Sequence, residues 1–328
     1  MGETAMKLGQ SKGSFLSLGS AGLVVCLLQL PCAGWIQAQT ANLERERALR
    51  IVVTNDDGVE ELGDRLVPVA RALAAFADVY VVIPARNRSG TTHHMNLSMG
   101  RRALESELVW SGALEQGGGE VEVHVVEGYP ADCVALALGG ILRDTPPDLV
   151  ISGPNGGPNL GPSWFGSGTI GAARMAAIFG VPAVAVSGVD EDDERAVETL
   201  AAWVAQLARS ELVLGLEPGS YLTVALPRKS PSQISGIRIA RRASGLGGRY
   251  FEKAPPLIGE GDAGPRQVWL LQVPEMSEPP PTDTDIALYI QDYIIVTPMR
   301  ADEHDYALMD ELRGRLGELP AWPPERRP

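Results

Sequence analysis

Cysteine is nearly missing from this chain once its first residues are set aside. Two of the three cysteines, Cys26 and Cys32, fall near the N-terminus, so a chain that has lost its leader keeps only Cys133 and no intramolecular disulfide to rely on. Flanked by Ala131, Val134 and Leu136 on an expected helix, Cys133 reads as a small core residue. Positive charge is the second shortage. Against 41 Asp and Glu stand 28 Lys and Arg, for a formal net charge of -13. That argues against general affinity for a nucleic acid backbone or an anionic membrane surface, while leaving open small anions held in a local site. Internal repeats are lacking as well. With 45% hydrophobic residues, many of them Val, Leu and Ala, the composition of a disordered chain is lacking too. What remains is a globular chain of 328 residues, long enough for one large domain or one and a half.

The first 38 residues have the grammar of a secretory signal. Lys7 and Lys12 precede an apolar stretch at 15–30, Pro31 and Gly34 break it, and 36–38 is a small-residue cleavage site. Export with cleavage near Ala38, to a periplasmic location, is the expectation. The alternative is an uncleaved anchor helix in the membrane.

The stretch around which the rest is arranged is IVVTNDDG at 51–58. Ile51, Val52 and Val53 form an apolar burst without alternation, as in a parallel strand buried on both faces. It ends in two adjacent carboxylates, Asp56 and Asp57, at a turn that Gly58 permits. In open α/β sheets ligands bind beyond the carboxyl ends of the strands. Adjacent carboxylates repel, so a hard cation is a natural partner.

Strand and helix then alternate. A helix over 62–77 places Leu66, Val69, Ala70 and Leu73 on one face. A second strand at 79–83 ends in a loop with Arg86, Arg88 and Ser89. Residues 91–127 are less regular, with a strand at 121–126, and Pro130 opens a helix. A strand at 149–152 empties into a Gly, Pro and Asn loop with Asn155 and Asn159. Ser167, Gly168 and Thr169 introduce a helix over 170–179 that Gly180 ends; its N-terminus is a ready anion site. A strand at 181–187 and a helix at 190–209 follow. This is the pattern of an α/β, doubly wound, mostly parallel sheet over residues 49–225. From 226 to 300 the chain turns strand-rich, with strands at 234–240 and 268–273. Residues 285–297 read as a strand or an extended arm that crosses to a partner subunit, since uncovered strand edges are a liability in a monomer. A surface helix and tail fill 301–328.

Carboxylates, a hydroxyl and an amide oxygen suit Mg²⁺ or Mn²⁺. A cation beside an anion cradle implies phosphate chemistry. A rival pattern is present. GSGTIG at 166–171 is a literal G-x-G-x-x-G with Asp190 further on, which would suit an NAD-dependent oxidoreductase. That fingerprint needs a strand leading into its first glycine, and here the strand ends at Ser152. The rival also gives Asp56 and Asp57 no role. A non-catalytic nucleotide-binding module is a third possibility.

Taken in order, IVVTNDDG at 51–58, PARNRSG at 84–90, PADCV at 130–134, SGPN at 152–155 with NLG at 159–161, and SGT at 167–169 with GAA at 171–173 resemble the SurE family. TDIAL at 284–288 and VTP at 296–298 match as well, so the likeness spans about residues 50–299. The resemblance implies a Rossmann-like, divalent-metal-dependent phosphomonoesterase. It would hydrolyse nucleoside 5′- and 3′-monophosphates, with short polyphosphate a second substrate in some members. No nucleic acid polymer is expected as a partner. The family's metal site maps onto Asp56, Asp57, Ser89 and Asn155. Asn55 would orient the cluster or the phosphate, Ser167, Gly168 and Thr169 would sit at the phosphate, and Asp56 would position or deprotonate the attacking water. The C-terminal extension implies a homodimer or homotetramer. Three departures bear on pocket shape and substrate preference. Gly166 stands where the family usually has Tyr, Met175 where it has Glu, and Pro154 where it has an aliphatic residue. His93 and His94 follow Ser89, and exposed loop histidines there are more often incidental than catalytic. The leader is unusual for a family regarded as cytoplasmic.

Overall fold

A computed structural model describes residues 47–60, 65–96, 103–114, 118–190, 192–244, 250–257, 266–272 and 279–315. The leader expected at 1–38 lies outside the described residues, as do the tail beyond 315 and the 273–278 connection. Among the described residues no helix is long and apolar enough to cross a membrane.

In chain order the elements are β1 (Leu49–Thr54), α1 (Val67–Ala74), β2 (Ala77–Pro84), β3 (Ser106–Ala113), β4 (Glu120–Val126), α2 (Pro130–Leu136) and β5 (Leu149–Asn155). There follow α3 (Gly168–Ile178), β6 (Ala183–Ser187), α4 (Glu194–Ala208), α5 (Glu211–Leu214), β7 (Ser220–Ala225), β8 (Gly236–Ile239), β9 (Tyr250–Leu257) and β10 (Arg266–Gln272). Then come α6 (Asp285–Tyr289), β11 (Tyr293–Arg300) and α7 (Tyr306–Gly314). Among the described residues nine strands form one sheet in the order β3-β4-β2-β1-β5-β6-β7-β11-β8, and β9 and β10 form a separate antiparallel hairpin.

The sheet is parallel from β4 through β7; only β3 on β4 and β11 on β7 run antiparallel. The expected doubly wound α/β architecture is what folds, and the unbroken apolar run of β1 shows why. Successive side chains leave a strand on opposite faces. Ile51 and Val53 enter the layer with Val69 and Leu73 of α1 and with Val197, Leu200 and Val204 of α4. Val52 enters the opposite layer, with Cys133 and Val134 of α2 and Ile170, Ala173 and Ala176 of α3. Every side chain of the run is fully buried, each worth about 1.5–3 kcal/mol relative to exposure. Cys133 is a buried free thiol in that second layer, and burial pushes its pKa well up.

The chain grows outward from β1 through β2 to β4, then returns to lay β5 on the other side of β1. That reversal makes the β1–β5 crevice the topological switch point, where open α/β sheets take their ligands.

Two expectations need correction. Residues 285–297 are not an arm. Thr284 caps a short helix through Ala287 N, and the following strand is held between β7 and β8 of its own sheet. Its backbone groups are thus satisfied within the chain, and the piece that stands apart is the β9–β10 hairpin. The second concerns 91–127, where the sequence pattern does not mark β3. Ser106–Ala113 is an edge strand with Leu108, Val109 and Trp110 all exposed, so no alternation betrays it.

Candidate active site

The site is built where β1, β2, β5 and α3 end or begin. Beyond β1 the chain turns at once. Gly58 has φ of 80°, and a methyl group there would lie 2.4 Å from the Arg86 carbonyl carbon. Only glycine lets this turn pack on the loop after β2. Asn55 closes the turn on itself: its Oδ1 accepts from Gly58 N at 3.3 Å and its Nδ2 donates to Gly58 O at 3.5 Å. Asn55, which the resemblance places at the cluster or the phosphate, also locks this turn.

Asp56 and Asp57 are both buried, and each has a partner that no local pattern announces. Asp56 Oδ1 accepts from Thr169 Oγ1 at 2.8 Å. Gly168 makes that contact possible, because a Cβ there would come within 2.8 Å of Asp56 Cβ. The resemblance places Thr169 and Ser167 at a phosphate. In the fold the Thr169 hydroxyl supports Asp56, and Ser167 Oγ caps α3 by accepting from Ile170 N at 3.1 Å. Asp57 Oδ2 accepts from Arg65 Nη2 at 2.8 Å, with both side chains buried. Burial first, and the adjacent Asp57 charge second, push Asp56 up to about 6 against the opposing Thr169 hydrogen bond. A raised buried carboxyl of this kind has less positive charge around it than its ionised form requires.

The other two expected ligands arrive by separate routes. Arg88 N donates to Asp56 O at 2.6 Å, tying the loop after β2 to Asp56 and placing exposed Ser89 one residue on. Asn155 is aimed by an irregularity in β5. Ser152 pairs with Ala185 but Asn155 with Ser187, so β5 carries one extra residue. Such a bulge turns the following side chain. Asn155 Nδ2 donates to Gly157 O at 2.6 Å. Its amide oxygen, the atom a cation would take, has no donor among the described residues. Because Thr54 pairs with Ser152, Asp56 and Asn155 leave neighbouring strands a few residues past the same level. Beneath them, Thr54 Oγ1 and Ser152 Oγ are buried without hydrogen-bond partners, a polar floor of a kind that calls for a ligand or ordered water.

Do these residues fit a divalent cation? Among the described residues no three His, Cys, Asp or Glu side chains gather. A cation here would instead rest on two carboxylates, a hydroxyl and an amide oxygen. All are hard oxygen donors of the kind Mg²⁺ and Mn²⁺ prefer, and the raised Asp56 carboxyl is short of positive charge. The donor set fits.

The histidines sit to one side. His93 Nδ1 shares a 3.0 Å hydrogen bond with Thr92 Oγ1, and its Nε2 is buried without a partner. Burial, and then the Arg174 charge, lower its pKa against the opposing charge of Glu303. His94 rests edge-on against Tyr129, ring centroids 4.2 Å apart. Their loop leans on the turn that leads into α3 through Thr92 N, which donates to Gly166 O at 3.1 Å.

Three supporting residues have no site role in the sequence reading, although Asp132 lies in PADCV at 130–134 and Asp285 in TDIAL at 284–288. Asp132 Oδ2 accepts from Asn96 N at 2.9 Å and Tyr129 N at 3.0 Å, anchoring the histidine loop. Arg242 reaches Asn159 O, Gly161 O and Thr223 Oγ1. Asp285 accepts from Gly161 N at 2.7 Å and Ala243 N at 2.8 Å. Asp132 could have been suspected from its place three residues after Tyr129, as the return half of a capping box. TDIAL marks Asp285 without indicating its distant partners, and Arg242 gave no local signal.

The dinucleotide alternative loses its geometry. β5 ends at Asn155, and a 3-10 turn over Gly161–Gly166 separates it from α3. No strand leads into Gly166, and Asp190 pairs with Arg228 at 3.4 Å.

Comparison with known proteins agrees with this arrangement. The family described as Survival protein SurE matches residues 51–246. The 5'-nucleotidase SurE of Chloroflexus aggregans is 34% identical over 271 residues, covering 80% of this chain and 97% of the relative. The 5'/3'-nucleotidase SurE of Edwardsiella ictaluri is 35% identical over 270 residues, covering 82% and 95%. Among solved structures, the SurE protein from Aquifex aeolicus superposes with a TM-score of 0.65 at 26% identity, over 81% of this chain and 99% of that one.

Proposed function

We propose, from the premise that this chain belongs to the SurE family, that it is a 5'-nucleotidase. It hydrolyses nucleoside 5′-monophosphates, and 3′-monophosphates as well, to nucleoside and phosphate. The observation that carries this reading is the contact of Asp56 with Thr169. It joins a buried carboxylate pair to the N-terminus of α3 at the switch point of the sheet. Asp56, Asp57, Ser89 and Asn155 would hold a divalent cation, Mg²⁺ or Mn²⁺. When bound, that cation supplies the charge that polarises the phosphoryl group and acidifies a water. Asp56, fixed in place by Thr169, orients that water and takes its proton. Arg65 holds Asp57 in position, and the capped start of α3 adds its dipole to the field felt by the phosphate.

The test is phosphate release from a panel of mononucleotides, with Mg²⁺ or Mn²⁺ and with excess chelator. Turnover that stops on chelation and returns with metal is the expected result. Metal-independent turnover would remove the cation from the site. Nucleotide binding without phosphate release would leave a non-catalytic binding module.

Two further readings rest on the chain outside the site. Its β9–β10 hairpin exposes Phe251, Trp269 and Leu271 on one face and Tyr250 and Leu270 on the other, apolar side chains suited to a homodimer or homotetramer contact. Its first 38 residues support export with cleavage near Ala38. N-terminal sequencing of protein from an envelope fraction decides that, and intact Met1 on soluble protein would refute it.

A further inference from the structure

The 3-10 turn between β5 and α3 brings two aromatic rings to the edge of the site. Trp164 is half-buried against the core layer under α3. His93 stands edge-on to it at 6.5 Å, and the Arg242 guanidinium lies 5.8 Å from its ring centroid. Phe165 stacks on Trp164, centroids 4.2 Å apart and planes 24° from parallel. One face of Phe165 is thereby covered. The residue is still 66% exposed, exceeded among the large apolar side chains described only by Ile239 at 73%. Beside it, a Cβ added to Gly166 would meet nothing within 4 Å, so the space next to the ring is open.

A ring that served only to anchor the turn would be buried. This one is held rigid from behind and presented to solvent two residues ahead of Ser167. Two residues of chain span at most about 7 Å, so the ring and the start of α3 are within reach of one small ligand. We propose that Phe165, backed by Trp164, is the face on which the base of the nucleoside monophosphate stacks. The inference rests on the nucleotidase reading and adds the part of the substrate recognised besides phosphate. Every base offers a π-face, so such a platform accepts all of them and favours the larger purines.

The experiment compares kcat/KM for adenosine 5′-monophosphate, cytidine 5′-monophosphate and ribose 5-phosphate. It uses the wild-type chain and the variants Phe165→Leu and Phe165→Tyr. Leucine keeps apolar packing on Trp164 but has no π-face; tyrosine keeps both. The wild type should prefer the purine nucleotide over ribose 5-phosphate. Phe165→Leu should lower that ratio roughly tenfold, through KM rather than kcat, as loss of one stacked base implies. Phe165→Tyr should keep it. A ratio that Phe165→Leu leaves unmoved, while nucleotides are still hydrolysed, overturns the stacking assignment and leaves the nucleotidase reading intact. The stacking assignment falls equally if the leucine variant changes only particle mass in light scattering, since Phe165 would then meet a second copy of the chain. Hydrolysis of ribose 5-phosphate without hydrolysis of either nucleotide overturns both.

Discussion

The middle of the sheet and its C-terminal margin are made of different materials. From β2 across β1 to β6 the strands are covered on both faces, and nearly all their side chains are buried. At the margin, β8 exposes Ile237 and Ile239, and the β9–β10 hairpin exposes five large apolar side chains. Both regions nonetheless serve the site. The middle carries Asp56, Asp57 and Asn155 at or just past the ends of closely packed strands, and these are proposed to act with Ser89 of the loop after β2. The margin holds the loop from outside, through Arg242 on Asn159 and Gly161 and Asp285 on Gly161 N. The proposed reacting groups stand where the backbone is most constrained, and the loop at Asn159 and Gly161 hangs on a region with fewer packed neighbours. On the proposed reading, substrate preference can change with the margin while the reacting groups stay in place.

The comparison breaks most visibly at its centre. Asp56→Asn keeps the size of the side chain and removes one negative charge from the proposed cation site. Turnover should fall by about a thousandfold or more, while circular dichroism and the thermal midpoint show a folded protein. Full activity in this variant would mean that the middle of the sheet does not hold the chemistry.

Asp285→Ala tests the hold of the margin on the middle. Asp285 is 2% exposed and accepts from three backbone N–H groups. Leaving these donors unsatisfied should cost about 3 kcal/mol in a urea titration. Because Gly161 begins the turn that carries Phe165, the preference for nucleotide over ribose 5-phosphate should fall as well. A loss of stability with unchanged preference would make the margin a prop for the fold and nothing more.

The smallest effect on stability is expected at the hairpin. Trp269→Ser removes an exposed ring over which Lys253 Nζ lies at 5.3 Å, and should change stability by no more than about 0.5 kcal/mol. Light scattering should nevertheless record a smaller particle if the hairpin joins copies of the chain. An unchanged mass would remove the hairpin from any interface.

The sequence by itself determined the parallel core and the positions of its polar strand ends. An apolar run without alternation fits a strand covered twice, and its last residue marks where a loop must emerge. Asp56, Asp57, Ser89 and Asn155 are singled out in this way and Ser167 by the helix it opens, and the strand–helix order from β1 to α4 is legible too, β3 excepted. Tertiary structure alone decided which partner each polar group takes. Thr169 meets Asp56 across 113 residues and Asp285 meets Gly161 across 124. Contacts at such separations carry no periodicity, because helix and strand repeats report only which face of an element is buried. The edge strand β3 is hidden for a related reason, since its exposed side chains lack the burial that imprints a pattern. The segment at 285–297 misleads because its apolar residues fit a strand throughout, whereas Thr284 and Asp285 stop the chain for one helical turn first. Hydrogen bonds to the distant Gly161 and Ala243 hold Asp285 there, and they exist only once the chain has folded.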